Sequence, residues 1–126
     1  MIAVGFGFRR EVATSEIITI FEQALRDARL DVSEIGCFAV LQDKAKVPAL
    51  AALTHHFGIP ARPVSKREML RVKDLVVTRS ARVEQLYGVG SVAEAVALFA
   101  VGDGARLILP RLMAATATCA IAGTAP

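Results

Sequence analysis

The feature that most constrains this chain is its beginning. An apolar run from Ile2 to Phe6 reads as a buried strand and merges into a basic glycine loop, Gly5-Phe6-Gly7-Phe8-Arg9-Arg10, whose glycines are expected to end the strand. Beyond it, Thr14 or Ser15 can cap a helix in which Ile17, Ile18, Phe21, Leu25 and Ala28 recur at the spacing of one buried face. Strand, tight loop and amphipathic helix in that order make a βα unit, and such units build sheets covered by helices.

The unit then repeats. Cys37 to Leu41 is a second apolar run of strand length, Gln42 to Lys46 a loop, and Val47 to Phe57 a helix with Pro48 in its first turn and Gly58 at its end. Ile59 to Val64, punctuated by prolines, suits an edge strand. Ser65-Lys66-Arg67-Glu68 has the form of a capping box and should open a brief helix. Val72 to Val83 carries no clear period and leads into a helix ending near Tyr87 and Gly88. A second capping box, Ser91-Val92-Ala93-Glu94, opens a helix from Val92 to Val101 that is apolar nearly all round and therefore belongs to the interior. Gly102-Asp103-Gly104 turns the chain, after which Leu107 to Leu109 and Thr116 to Ile121 are strands joined by a short loop, as in an antiparallel hairpin. The predicted fold is α/β: a three-layer α/β/α sandwich with a mostly parallel sheet and an antiparallel C-terminal hairpin. With 126 residues, 54% of them hydrophobic, it is expected to be one domain over residues 1–126.

The apolar content does not imply a membrane protein, because the longest uninterrupted apolar run, Ala95 to Val101, is far shorter than the ~20 residues of a spanning helix. Met1 passes directly into Ile2-Ala3-Val4 without a basic leader, so no signal peptide is read and the cytoplasm is the expected location. Cys37 and Cys119 lie far apart in apolar segments. They form neither a redox CxxC nor a zinc knuckle and are expected to be buried free thiols. His55 and His56 are adjacent on a helix, so they point about 100° apart and do not share a metal easily. The formal net charge is +3, but seven of the basic residues (Arg62, Lys66, Arg67, Arg71, Lys73, Arg79, Arg82) fall in one stretch against two acidic ones, Glu68 and Asp74. Such a stretch is either a solvated face or a surface for an anionic partner.

In open α/β sheets, ligands bind beyond the carboxyl ends of the strands. Three loops qualify: Gly5 to Arg10, Leu41 to Lys46, and Gly88-Val89-Gly90-Ser91. The first resembles a dinucleotide fingerprint, but Arg10 stands at the third glycine position and would obstruct the close approach the motif exists to permit. What remains is a cradle in which Gly5 and Gly7 expose N–H groups and Arg9 and Arg10 offer forks for carboxylates or phosphates, or else a tight turn with solvated arginines. Gly90 and Ser91 stand at a helix N-terminus, which favours anions, although Ser91 can equally be a plain N-cap with Glu94 completing its box. Asp43 and Lys44 are either an acid orienting a cation or a surface pair. No Walker loop and no nucleophile triad can be assembled; Asp43 and Glu94 are the candidate acid–base groups.

Taken together, V-G-F-G-F-R-R, Asp43-Lys44 followed by a helix and G-I-P, G-V-G-S-V-A-E-A-V-A-L from Gly88 to Leu98, and the closing L-I-L-P-R … T-A-T-C-A-I-A resemble the CobE proteins of cobalamin biosynthesis and the C-terminal domain of CbiG. The resemblance spans nearly the whole chain and implies a role on precorrin or corrinoid intermediates, tetrapyrroles rich in acetate and propionate carboxylates. The ligand-binding residues it suggests are Gly5, Gly7, Arg9, Arg10, Asp43, Lys44, Lys46, Gly90 and Ser91, Lys44 and Lys46 being equal candidates for one cation. Relatives often carry a cysteine where Phe8 stands and a glycine where Glu11 stands, so thiolate chemistry at position 8 is excluded. CbiG-type proteins open a lactone and have an additional N-terminal domain, and these 126 residues read as the C-terminal type alone. The expectation is a protein of the oxygen-dependent pathway that binds or carries a corrin precursor. A lactone hydrolase and a phosphate or nucleotide binder are the alternatives. No metal, resident cofactor, nucleic acid or membrane is expected, and other corrin-pathway enzymes are possible partners.

Overall fold

In the computed structural model, which describes residues 1–124, the two βα units form in sequence. Strand β1 (Ile2–Phe8), helix α1 (Thr14–Ala28), strand β2 (Cys37–Leu41), helix α2 (Pro48–Phe57) and strand β3 (Ala61–Val64) are followed by helices α3 (Lys66–Leu70), α4 (Ala81–Tyr87) and α5 (Val92–Val101) and strands β4 (Ala105–Met113) and β5 (Ala117–Thr124). β1 pairs in parallel with β2, and β2 with β3. β5 runs antiparallel to both β1 and β4. The order is therefore β3-β2-β1-β5-β4, and every strand but β5 points the same way. The expected C-terminal hairpin is present, and its second strand inserts beside β1.

Alternation along the strands explains why each face takes its helices. Val4, Phe6 and Phe8 of β1, Phe38 and Val40 of β2, and Cys119 and Ile121 of β5 face α1 and α2. There Phe21 packs edge-on against Phe38 and Phe57, with ring centroids 5.0 Å away in each case. The opposite face is built from small residues, among them Ala3, Ala39 and Ala122, and it receives the alanine-rich helix α5. A Cβ on Gly5 would stand 2.1 Å from the carbonyl oxygen of Ala93, so α5 lies directly on the backbone of β1.

Three local expectations are corrected. β1 extends to Phe8, so Gly5 and Gly7 are strand residues rather than loop residues; pairing with β5 along the full length of β1 outweighs the weak strand preference of glycine. Neither Thr14 nor Ser15 caps α1. Ala13 occupies the N-cap, and its N–H donates to Glu16 Oε1 at 3.0 Å. β4 runs on through Pro110, because an edge position needs no N–H there and the ladder shifts register on either side of Leu109. Among the described residues no helix is long and apolar enough to cross a membrane.

Candidate functional site

The carboxyl ends of β1, β2 and β4 and the start of β5 gather at one margin of the sheet. Register sets Phe8 opposite Ala117 and Met113 opposite Thr118. Between them and α4 is a cleft of about 160 Å³. Gly7, Phe8 and Leu41 line its strand side, Lys44, Arg111 and Thr118 supply its polar groups, and Val83, Tyr87 and Val92 close it. Val83 and Tyr87 are one helical turn apart on α4, which turns both toward the cleft. Lys44 Nζ donates to the carbonyl of Phe8 at 2.7 Å and so ties the loop after β2 to the end of β1. Thr118 Oγ1 donates to the carbonyl of Gly7 at 3.3 Å.

The electrostatics of the cleft are one-sided. The guanidinium of Arg111 has its polar contact with Met113 Sδ, at 3.3 Å, and Arg79–Glu84 is the one ion pair among the described residues. Lys44 and Arg111 thus line the same cleft with no carboxylate partner among the described residues. A wider hollow of about 420 Å³ adjoins it, sharing Leu41 and Tyr87 and adding Gln42, Asp43 and Lys66. Lys66 Nζ donates to the carbonyl of Leu86 at 3.1 Å, holding α3 against the end of α4.

The residues singled out in the sequence divide between this site and the interior. Gly7 and Lys44 line the cleft, and Asp43 lines the hollow. Arg9 and Arg10 are exposed on the chain just past Phe8, at the rim rather than in the lining, and Lys46 is exposed outside both cavities. Gly5 is under α5. Gly90 is buried against the segment before α4, where a Cβ would meet the carbonyl oxygen of Thr78 at 2.1 Å. Ser91 is fully buried, its hydroxyl accepting from the N–H of Glu94 at 3.2 Å. The close approach of backbones requires Gly5 and Gly90, and capping occupies Ser91, so none of the three faces the cleft. The basic stretch disperses as well: Arg62 Nη1 donates to the carbonyl of Ala100 at 3.1 Å and lies over the Phe99 ring, at the far end of α5 from the cleft.

Sequence reasoning missed Arg111, Thr118 and Tyr87. Arg111 and Thr118 lie on strands rather than loops and reach the site only through hairpin register. The signal that could have found Arg111 is a cation directly after Pro110, near the carboxyl end of a strand whose other charged residue, Arg106, stands at its start.

Glu94 is fully buried. Its Oε1 accepts from the N–H groups of Val77 at 2.9 Å and Thr78 at 3.1 Å, and its Oε2 accepts from the N–H of Arg111 at 3.0 Å and from the Thr78 hydroxyl. Burial pushes its carboxyl up, but the Thr78 hydroxyl and these three N–H groups outweigh that and hold it below the ordinary glutamate range. A carboxylate so fully engaged and enclosed is a structural anchor rather than a free acid or base. The thiols of Cys37 and Cys119 are free and buried, and burial raises both, with Arg62 partly opposing it at Cys37. A separate groove of about 370 Å³ lies between α1 and the end of β4. Its carboxylate, Glu16, is already taken by the Thr116 hydroxyl at 2.6 Å and by Ala13.

Fold and site together define a three-layer α/β domain with a cationic cleft at the carboxyl end of its sheet. The chain belongs to the cobalamin synthesis G C-terminus family, whose model matches residues 2–122, and is a cobalamin biosynthesis protein of the CobE/CbiG type. Protein CobE of Sinorhizobium sp is 32% identical over 124 residues, covering 98% of this chain and 80% of that protein. The crystal structure of a CobE from the cobalamin biosynthetic pathway superposes with a TM-score of 0.88 over 97% of this chain and 89% of the other; at 24% identity this speaks for the fold alone. The cobalamin biosynthesis protein chiG of Agrobacterium tumefaciens str. C58 is 28% identical, with a TM-score of 0.78 and full coverage of both chains.

Proposed function

We propose that this protein binds or carries a carboxylate-rich precorrin or corrinoid intermediate in the cytoplasm, acting as a single domain over residues 1–126. The observation that carries the reading is the pairing of Lys44 and Arg111 in one cleft without a carboxylate partner among the described residues. Half-buried cations are retained against their desolvation cost when an anion completes them, and a guanidinium suits a carboxylate bidentately. Arg9 and Arg10 add positive charge at the rim, where they raise the local concentration of an anionic ligand. Membership of a cobalamin biosynthesis family supplies the anion: a ring fringed with acetate and propionate groups.

A hydrolase acting on a precorrin lactone is the second reading, and Asp43 is what favours it. It lines the hollow, as Lys66 does, whereas Glu94 is consumed by its four donors. A nucleotide site on the α5 N-terminus loses its support with the burial of Gly90 and Ser91.

The test is a titration of the purified protein with precorrin-type and corrinoid ligands, followed by visible absorption and by the mass of the recovered ligand. A shifted spectrum with unchanged mass is expected. A changed mass would move the reading to the hydrolase, and silence toward every tetrapyrrole together with nucleotide affinity would overturn both.

A further inference from the structure

Size limits how such a ring can be held, and this inference rests on the corrinoid reading above. A cavity of about 150 Å³ holds one benzene, and pockets that enclose whole small ligands begin near 300 Å³. The cleft, at about 160 Å³, admits one six-atom group, not a macrocycle of four linked five-membered rings, each nearly as large as that group. Yet the cleft is where Lys44 and Arg111 come together without a carboxylate, and the hollow of about 420 Å³ next to it opens toward solvent and shares the Tyr87 wall.

We infer that the cleft receives a single carboxylate-bearing arm of the ring, gripped by Arg111 and Lys44, while the ring itself lies outside against Tyr87, over the hollow that contains Lys66. The division of labour follows from chemistry. The arm's carboxylate meets a guanidinium and an ammonium in a partly desolvated space where charge-assisted hydrogen bonds are strong. The ring's π face needs an aromatic wall rather than more charge, and Tyr87 is the aromatic residue common to both cavities. Selectivity then depends on whether one particular arm is still a free acid. An intermediate amidated at that arm would lose its grip on the cleft and leave.

The experiment compares two probes: cobyrinic acid, a corrin whose acetate and propionate arms are free acids, and cobinamide, the same ring with its arms amidated. Wild-type protein should bind cobyrinic acid at least about tenfold more tightly than cobinamide, with a shift of the ring absorption. Arg111→Gln should erase most of that preference by weakening cobyrinic acid alone. Tyr87→Ala should weaken both probes and abolish the spectral shift, and Tyr87→Phe should restore both. Circular dichroism controls for folding, which Arg111→Gln should not disturb because Glu94 is bonded by the Arg111 backbone. Undiminished preference in Arg111→Gln, with cobyrinic acid weakened only by loss of Arg9 and Arg10, would overturn the arm-in-cleft geometry while leaving the corrinoid reading standing. Binding of neither ring by wild type would remove that reading as well.

Discussion

The backbone N–H of Arg111 donates to Glu94 Oε2 across 3.0 Å, joining edge strand β4 to the first turn of α5. Through Oε1 the same carboxylate holds Val77 and Thr78, on the segment that leads into α4. One buried side chain thus ties together two walls of the cleft, the strand that carries Arg111 and the helix that carries Tyr87. Three backbone donors and a hydroxyl converge on it.

Replacing Glu94 is therefore expected to cost stability and to change its pH dependence. Glu94→Ala leaves these donors without an acceptor, a loss of about 3 kcal/mol or more in urea unfolding at neutral pH. The folded-state pKa of Glu94 lies below its ordinary value of 4.5, so the stabilisation it contributes is fully present above that pH and is lost as the pH falls through the folded-state value. The difference between wild type and Glu94→Gln should shrink on acidification below about pH 4. A difference that stayed constant from neutral to acid pH would contradict an ionised carboxylate at this position.

Gly5 and Gly7 belong to the same strand but should respond unequally to alanine. At Gly5 the added Cβ meets the backbone oxygen of Ala93 at 2.1 Å, and the helix must move off the sheet. Gly5→Ala should destabilise by about 3 kcal/mol, the upper range for overpacking. At Gly7 the nearest atom, at 2.7 Å, is the Thr118 hydroxyl, which can rotate away. Gly7→Ala should cost about 1 kcal/mol while narrowing the cleft and weakening ligand binding. Thermal unfolding of both variants beside a corrinoid titration of Gly7→Ala checks the contrast.

What the sequence made legible follows from the range of the interactions. The β1-α1-β2-α2-β3 order and the hairpin rest on local periodicity and were readable. The two capping boxes show where this stops. At Ser65 and Glu68 both bonds form, at 2.9 and 3.1 Å, because α3 is a short surface helix with no competing donors. At Ser91 and Glu94 the same pattern makes only half the box, because buried α5 is surrounded by other segments whose N–H groups capture the Glu94 carboxylate. For the same reason Val72 to Val83 had no readable period: its path is fixed by a residue about seventeen positions away. The βα order pointed to the end of the sheet where the cleft lies, but the glycines there were assigned to a ligand, whereas two of them, Gly5 and Gly90, permit backbone contacts that only tertiary structure reveals.

Thiol chemistry should be silent in the native protein. Cys119 is fully buried at the centre of β5, and burial pushes its thiol far up. Cys37 is buried as well, with Arg62 only partly offsetting the effect. A thiolate is the reactive form, so a disulfide-exchange reagent at neutral pH should leave Cys119 unmodified until the protein unfolds, with Cys37 the first to react. Rapid stoichiometric labelling of both in native protein would refute this burial.

The rim arginines are predicted to act at a distance, unlike Arg111. Arg9 and Arg10 are exposed and lie outside the cleft lining. Replacing both with alanine should change folding stability by no more than about 0.5 kcal/mol. It should slow and weaken binding of a polycarboxylate corrin at low salt, and the difference from wild type should fade as ionic strength rises past about 0.15 M, where the Debye length drops to about 8 Å. Arg111→Gln should behave differently, because Arg111 is half-buried and lines the cleft, where a charge paired with a ligand is screened less, and its loss should persist at high salt. Salt-dependent association rates for the two variants separate steering from grip: equal salt sensitivity would mean that Arg111 also acts from solvent, and that the cleft is not where the carboxylate is held.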